Sequence, residues 1–202
     1  MIQSIIFDFD GVLIDSRETL HKFTLIHHPD ISENEIEEIF HGNAHSHPII
    51  KKFVKEHREE IDAFFLNDTT KDSFYNGAKE LIEELEKNYS LFINTSAPTY
   101  NVKHFLSLIE KEHSFKEILG FDIEVSKVKK FEMILEKYNL KKEECLFVTD
   151  TLGDLREAEE VGIKSIGVTW GVHKRETLKQ GETIAIVDNY EELLEIIQKT
   201  KS

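Results

Sequence analysis

The chain has 202 residues, with 39 Asp and Glu against 25 Lys and Arg and a formal net charge of -14. That length suits one domain with an insertion, or two small ones, and suffices to bury a core. The charge argues against nucleic acid or an anionic membrane surface as the main partner, since both need a basic footprint; a small anionic substrate needs only a local positive site.

The first element is the apolar run Ile2 to Phe9, which reads as a buried strand with Asp8 and Asp10 at its far end and Gly11 breaking it. Two carboxylates two apart on a strand share a side. Burying them ionised is unfavourable unless a cation or donors compensate. No long apolar h-region follows a charged start, as a signal peptide requires. No stretch approaches the ~20 apolar residues of a membrane helix. The chain is therefore expected to be soluble and cytoplasmic, with no membrane partner.

Residues 16–74 show little strand character and read as a helical block. Glu33 to Phe40 forms one helix, Gly42 to Pro48 a loop, and Ile49 to Phe65 repeats apolar residues at helical spacing until Asn67-Asp68-Thr69. From Asn76 helices alternate with short apolar runs. Ala78, Leu81, Ile82 and Leu85 stripe a helix. Leu91-Phe92-Ile93 is a strand ending at Asn94-Thr95-Ser96, and Pro98 stands near the start of the next helix, where proline is tolerated. Phe121 to Val125 reads as a weak strand, followed by Lys127, Lys129 and Lys130 at the head of a helix bearing Phe131, Ile134, Leu135 and Tyr138. Cys145, the only cysteine, lies in the strand Cys145 to Thr149, which ends at Asp150; it reads as a buried strand residue, and no intrachain disulfide is possible. A helix with Leu155, Ala158 and Val161 stops at Gly162. Ser165 to Thr169 and Thr183 to Val187 are the last strands, and Glu191 to Lys199 is the last helix.

Strands alternating with helices predict an α/β fold, a Rossmann-like parallel sheet covered on both faces. Strand one belongs to that sheet, so residues 16–74 are an insertion after it. In a parallel sheet the strand ends share one edge. Asp8 and Asp10, Thr95 and Ser96, the lysines, and Asp150 with Asp154 thus converge on one crevice. These are the parts for phosphoryl transfer: carboxylates to hold Mg²⁺, an ammonium to neutralise charge, hydroxyl and N–H donors for phosphate oxygens, and a carboxylate able to act as nucleophile.

Asp8-Phe9-Asp10-Gly11-Val12-Leu13-Ile14-Asp15-Ser16 resembles the first signature of the haloacid dehalogenase-like hydrolases. Thr95 at its strand end resembles the second, a lysine near the start of the Phe131 helix the third, and Asp150-Thr151-Leu152-Gly153-Asp154 the fourth. Val168-Thr169-Trp170-Gly171 is similar to the late strand of phosphoglycolate-phosphatase-like members. The resemblance spans nearly the whole chain. It implies a core domain of residues 1–15 and 75–202 with a small all-helical cap, 16–74. It also implies a Mg²⁺-dependent phosphomonoesterase acting on a small phosphorylated metabolite through an aspartyl-phosphate. Asp8 would be the nucleophile and Asp10 the general acid and base. Thr95, Ser96 and Lys127 (or Lys130, with Lys129 third) would bind the phosphate. Asp8, Asp10 through its carbonyl, Asp150 and Asp154 would hold the metal. Family members that cleave carbon–halogen bonds lack an aspartate at the position of Asp10, so its presence points to a phosphatase or phosphomutase.

Plainer roles stand beside these. Thr95 or Ser96 could cap the helix near Pro98, and Asp154 could cap the Leu155 helix. Asp15 and Ser16 read as turn and cap residues opening the insertion. His41, His45 and His47 read as a solvated loop trio, as a metal site or as part of a lid over the substrate, and Trp170 as a buried edge residue or one packed beside the crevice. The alternatives for the whole chain are a phosphomutase of the β-phosphoglucomutase type and a catalytically silent binding or regulatory module.

Overall fold

The computed structural model describes residues 1–16, 19, 22, 26, 32, 35 and 48–200. Apart from Glu35, the expected Glu33–Phe40 helix lies outside the described residues, as do the trio His41, His45 and His47 and the expected loop from Gly42 up to Pro48, where the first described helix begins. The structure is a six-stranded, all-parallel sheet of order β3-β2-β1-β4-β5-β6. Its strands are β1 (Ser4–Phe7), β2 (Ser90–Asn94), β3 (Phe115–Leu119), β4 (Cys145–Thr149), β5 (Lys164–Val168) and β6 (Ala185–Val187). The main helices are α1 (Pro48–Asp68), α2 (Ala78–Leu85), α3 (Thr99–Leu108), α4 (Lys127–Tyr138), α5 (Leu152–Val161), the short α6 (Arg175–Leu178) and α7 (Tyr190–Lys199).

The period-2 alternation of each central strand explains why helices cover both faces. Ile5 and Phe7, Leu91 and Ile93, and Leu146 and Val148 enter one core with Leu81, Ile82, Val102, Phe105, Leu193 and Ile197 of α2, α3 and α7. The intervening Ile6, Phe92 and Phe147 enter a second core with Phe131, Ile134 and Ala158 of α4 and α5. Each such fully buried large side chain contributes about 1.5–3 kcal/mol.

The chain winds outward from β1 through β2 to β3. It then returns to the other side of β1 and winds outward again through β4, β5 and β6. The reversal leaves a crevice beyond the ends of β1 and β4, where doubly wound sheets bind ligands.

The weak strand expected at Phe121–Val125 is instead β3, Phe115–Leu119. The segment after Gly120 is a turn leading to Ser126, whose side chain accepts the Lys129 N–H as the N-cap of α4. The cause is β3's place at the sheet edge. It carries Lys116 and Glu117 mid-strand, as edge strands do, and these interrupt the apolar run that marks a central strand. Two caps also differ from expectation. Pro98 itself is the N-cap of α3, with no side-chain bond, so neither Thr95 nor Ser96 caps that helix. Thr151 caps α5 by accepting the Asp154 N–H, so Asp154 lies inside the first turn with its carboxylate available for other partners.

Helix α1 falls between β1 and the remaining strands, where the helical insertion was expected, and is kinked at His57. The chain leaves the sheet at Asp15 and returns beside it: Asp15 N–H donates to Ser73 O, and Tyr75 N–H to Leu13 O. Among the described residues no helix is long and apolar enough to cross a membrane.

Candidate active site

The strand end of β1 builds the first part of the site. Asp8 N–H still pairs with Val148 O of β4, while Phe9 turns inward and stacks near Phe105. Side chains alternate, so Asp8 and Asp10 face away from that core. Gly11, at φ +73°, begins the tight turn that returns Gly11 N–H to Ile14 O. A side chain there would also collide with Asp150, since a Cβ would stand 2.0 Å from Asp150 Oδ2.

Lys127, from the first turn of α4, reaches the sheet edge with its side chain 2% exposed. Its Nζ lies 2.8 Å from Asp8 Oδ2 and 2.6 Å from Asp154 Oδ2. Of the three candidate lysines it therefore occupies the position between the carboxylates. Lys129 points to solvent beside Glu124. Lys130 is buried, but its ammonium donates to the Thr95 carbonyl.

Two carboxylates share one ammonium here, and the shifts follow. Burial pushes the Asp8 carboxyl well above its usual range; Lys127 pulls it back, and the nearby Asp154 adds to the rise. Burial also opposes ionisation of Asp154, but attraction to Lys127 and hydrogen bonds, including that from Thr149 Oγ1 at 2.7 Å, outweigh it and hold this carboxyl low. For Lys127, burial opposes the charge, yet Asp154 and Asp8 raise its ammonium well above the ordinary lysine value. Asp10 sits half-buried at the mouth. Burial raises it, against a hydrogen bond from Ser16 and the pull of Lys127. Ser16, expected as a turn or cap residue, thus faces a site carboxylate.

Asp150 terminates β4 almost fully buried. Its Oδ2 accepts the Val172 N–H at 2.7 Å, its carbonyl accepts the His173 N–H, and its Oδ1 has no hydrogen-bond partner among the described residues. Burial raises this carboxyl to about 7. A buried, unpartnered carboxylate oxygen beside the anionic Asp154 fits a hard divalent cation. Among the described residues no three His, Cys, Asp or Glu side chains form a metal cage by themselves. A cation here would need further oxygens, from the Asp10 carbonyl, water or substrate, and this suits an ion that keeps several waters.

Thr95, fully buried at the end of β2, accepts the Ala97 N–H on Oγ1, which leaves its hydroxyl hydrogen to donate. Ser96 follows it, partly exposed.

The segment after β5 supplies contacts that sequence reasoning did not assign. Gly171 allows the chain to lie on Asp150, since a Cβ there would stand 2.2 Å from Oδ2. Val172 donates its N–H to that carboxylate. The buried His173 accepts the Leu152 N–H on Nδ1, fixing the loop that carries Asp150 and Asp154. The glycine after a strand was the available signal. Trp170 is half-buried and donates Nε1–H to Val12 O, which also accepts Tyr190 OH.

Residues 5–168 match the family model described as haloacid dehalogenase-like hydrolase. The phosphoglycolate phosphatase of Vibrio parahaemolyticus is 25% identical over 219 aligned positions, covering 97% of this chain and 96% of that one. The pyrophosphatase PpaX of Listeria monocytogenes is 26% identical, covering 98% and 97%. A haloacid dehalogenase-like hydrolase of Streptococcus pneumoniae superposes with a TM-score of 0.78 at 24% identity, over 97% of this chain and 98% of that one, and shares the fold. Sheet order, strand-end carboxylates and matched span agree: the chain belongs to the haloacid dehalogenase-like hydrolase family and is a hydrolase of its phosphatase branch.

Proposed function

We propose that this hydrolase is a Mg²⁺-dependent phosphomonoesterase acting on a small phosphorylated metabolite through an aspartyl-phosphate on Asp8. The observation that carries the reading is the bridge of Lys127 between Asp8 and Asp154 beside the unpartnered oxygen of Asp150. Mg²⁺, held by Asp150 and Asp154 with Asp8 and the Asp10 carbonyl, would neutralise charge on the phosphoryl group.

The chain's own groups do the rest. Asp8 attacks phosphorus, and its Phe9 N–H bond at 2.8 Å to Oδ1 fixes the carboxylate's orientation. Lys127 offsets the charge of Asp8 and of the phosphate oxygens. Thr95 Oγ1–H and Ser96 hold those oxygens. Asp10 gives a proton to the leaving alkoxide and then takes one from the attacking water, a role that the upward push of burial on its carboxyl favours. The Ser16 hydroxyl orients that carboxyl. Residues 1–15 and 75–202 form the catalytic core in this reading, and 16–74 a cap that excludes water and reads the leaving group.

Hydrolysis of p-nitrophenyl phosphate with Mg²⁺, and its loss with a chelator, tests the reading. A panel headed by phosphoglycolate and pyrophosphate, the compounds named by the relatives, then ranks substrates by released phosphate. Asp8→Asn should abolish turnover. An Asp8→Asn enzyme with wild-type turnover, or a wild type inert on every phosphate ester with Mg²⁺ present, refutes it.

A further inference from the structure

Lys130 is a second buried lysine at the site, and the mechanism above leaves it unused. It is 0% exposed and belongs to the same helix face as Lys127. Its ammonium donates to the carbonyl of Thr95. Burial, together with repulsion from Lys127, lowers it to about 8, while Asp8, Asp154 and Glu157 favour its charge. A strand-end carbonyl needs only a neutral donor to be satisfied. A buried ammonium next to another ammonium is an expensive way to supply one.

The geometry around Thr95 gives that ammonium a use. Thr95 N–H is tied to Leu119 O of β3 at 3.1 Å, and its Oγ1 accepts the Ala97 N–H. The Asn94 side chain ties the same strand end to α4 by donating to Lys127 O at 3.0 Å. Lys130 adds the remaining anchor, on the Thr95 carbonyl. In a trans peptide the carbonyl and the following N–H point in opposite directions. Fixing Thr95 C=O on the helix side therefore fixes the direction of the Ser96 N–H.

We propose that Lys130 is a positioning residue: it locks the Thr95–Ser96 peptide so that the Thr95 hydroxyl and the Ser96 N–H present their hydrogens to the substrate phosphate. It acts through the loop and does not itself touch substrate. A charged donor also polarises the peptide it binds and strengthens the outward N–H as a donor. The inference rests on the phosphatase reading and adds a residue to it.

The test compares wild type, Lys130→Met and Lys130→Arg by three readouts: kcat and KM on p-nitrophenyl phosphate, the inhibition constant of inorganic phosphate, and the Mg²⁺ midpoint from thermal shift. Lys130→Met should raise KM and the phosphate inhibition constant by about tenfold or more, the scale of one charged hydrogen bond. The Mg²⁺ midpoint should stay unchanged, and Lys130→Arg should recover most of the phosphate affinity. If Lys130→Met does not fold, Lys130→Leu, which likewise offers no donor, takes its place in the comparison. Wild-type phosphate affinity in the folded Met or Leu variant overturns the inference. So does a parallel loss of phosphate and Mg²⁺ affinity, or an Arg variant no better than Met. A wild type that neither hydrolyses the ester nor binds phosphate overturns the phosphatase reading, and this inference with it.

Discussion

Replacing Asp150 by asparagine should stabilise the metal-free protein while abolishing its response to Mg²⁺. Asp150 is 1% exposed, so solvent does not screen it, and burial raises its carboxyl from 3.8 to about 7. A rise of about three units at ~1.36 kcal/mol each is about 4 kcal/mol of folding free energy lost once the group ionises in the fold. The sign follows from the direction of the shift. A carboxyl raised on folding leaves stability intact below its unfolded value of 3.8, and that stability is lost as pH climbs through about 7. Linkage then gives a penalty of roughly 2 kcal/mol at about pH 5.5 and roughly 4 kcal/mol at about pH 8.5. Asparagine removes the titration but leaves a buried N–H unpaired, which costs about 1–3 kcal/mol at any pH. In chelator, wild type and Asp150→Asn should therefore unfold at similar temperatures near about pH 5.5. By about pH 8.5 the variant should be ahead by about 4–8 °C, at roughly 2–4 °C per kcal/mol for a chain of this size. Added Mg²⁺ should raise the wild-type Tm and leave the variant's unchanged. Thermal unfolding across that pH range, with and without Mg²⁺, measures all of this. A Tm gap that stays constant with pH, or a variant that Mg²⁺ stabilises as much as wild type, refutes the reasoning.

Lys127→Met should leave Asp8 and Asp154 buried without their ammonium. We expect a loss of about 3–5 kcal/mol in metal-free stability by denaturant titration, together with loss of turnover; a folded variant of wild-type stability would contradict the bridge. Gly171→Ala places a Cβ 2.2 Å from Asp150 Oδ2, so that carboxylate must shift. Mg²⁺ affinity by calorimetry should fall by about tenfold or more, with the fold retained by circular dichroism. Cys145 is fully buried, and burial pushes its thiol up to about 12. A disulfide reagent should not label it in the native protein and should label it stoichiometrically after denaturation; rapid native labelling would contradict its place in β4.

The sheet and its site edge were legible in the chain because their signals are local. Ile5-Ile6-Phe7, Leu91-Phe92-Ile93 and Leu146-Phe147-Val148 are buried on both faces, and such strands read as unbroken apolar runs. Asp8, Asp10, Thr95 and Asp150 each end or follow such a run, so their convergence needed only the parallel-sheet rule. The first and fourth signatures carried the family. Strand β3 was misplaced because an edge strand tolerates Lys116 and Glu117, and the local pattern then favoured the next apolar pair.

What only the folded chain decided were relations between distant segments. Lys127, Lys129 and Lys130 are near-equivalent in sequence. The pitch of α4 turns Lys127 between Asp8 and Asp154, Lys130 under Thr95, and Lys129 into solvent. The contacts of Gly171, Val172 and His173 with the Asp150 loop likewise depend on β5 lying beside β4. Sequence patterning sets which residues are buried and where strands end, because burial and periodicity act over a few residues. Which ammonium meets which carboxylate is settled by helix rotation and strand order, which no local pattern carries.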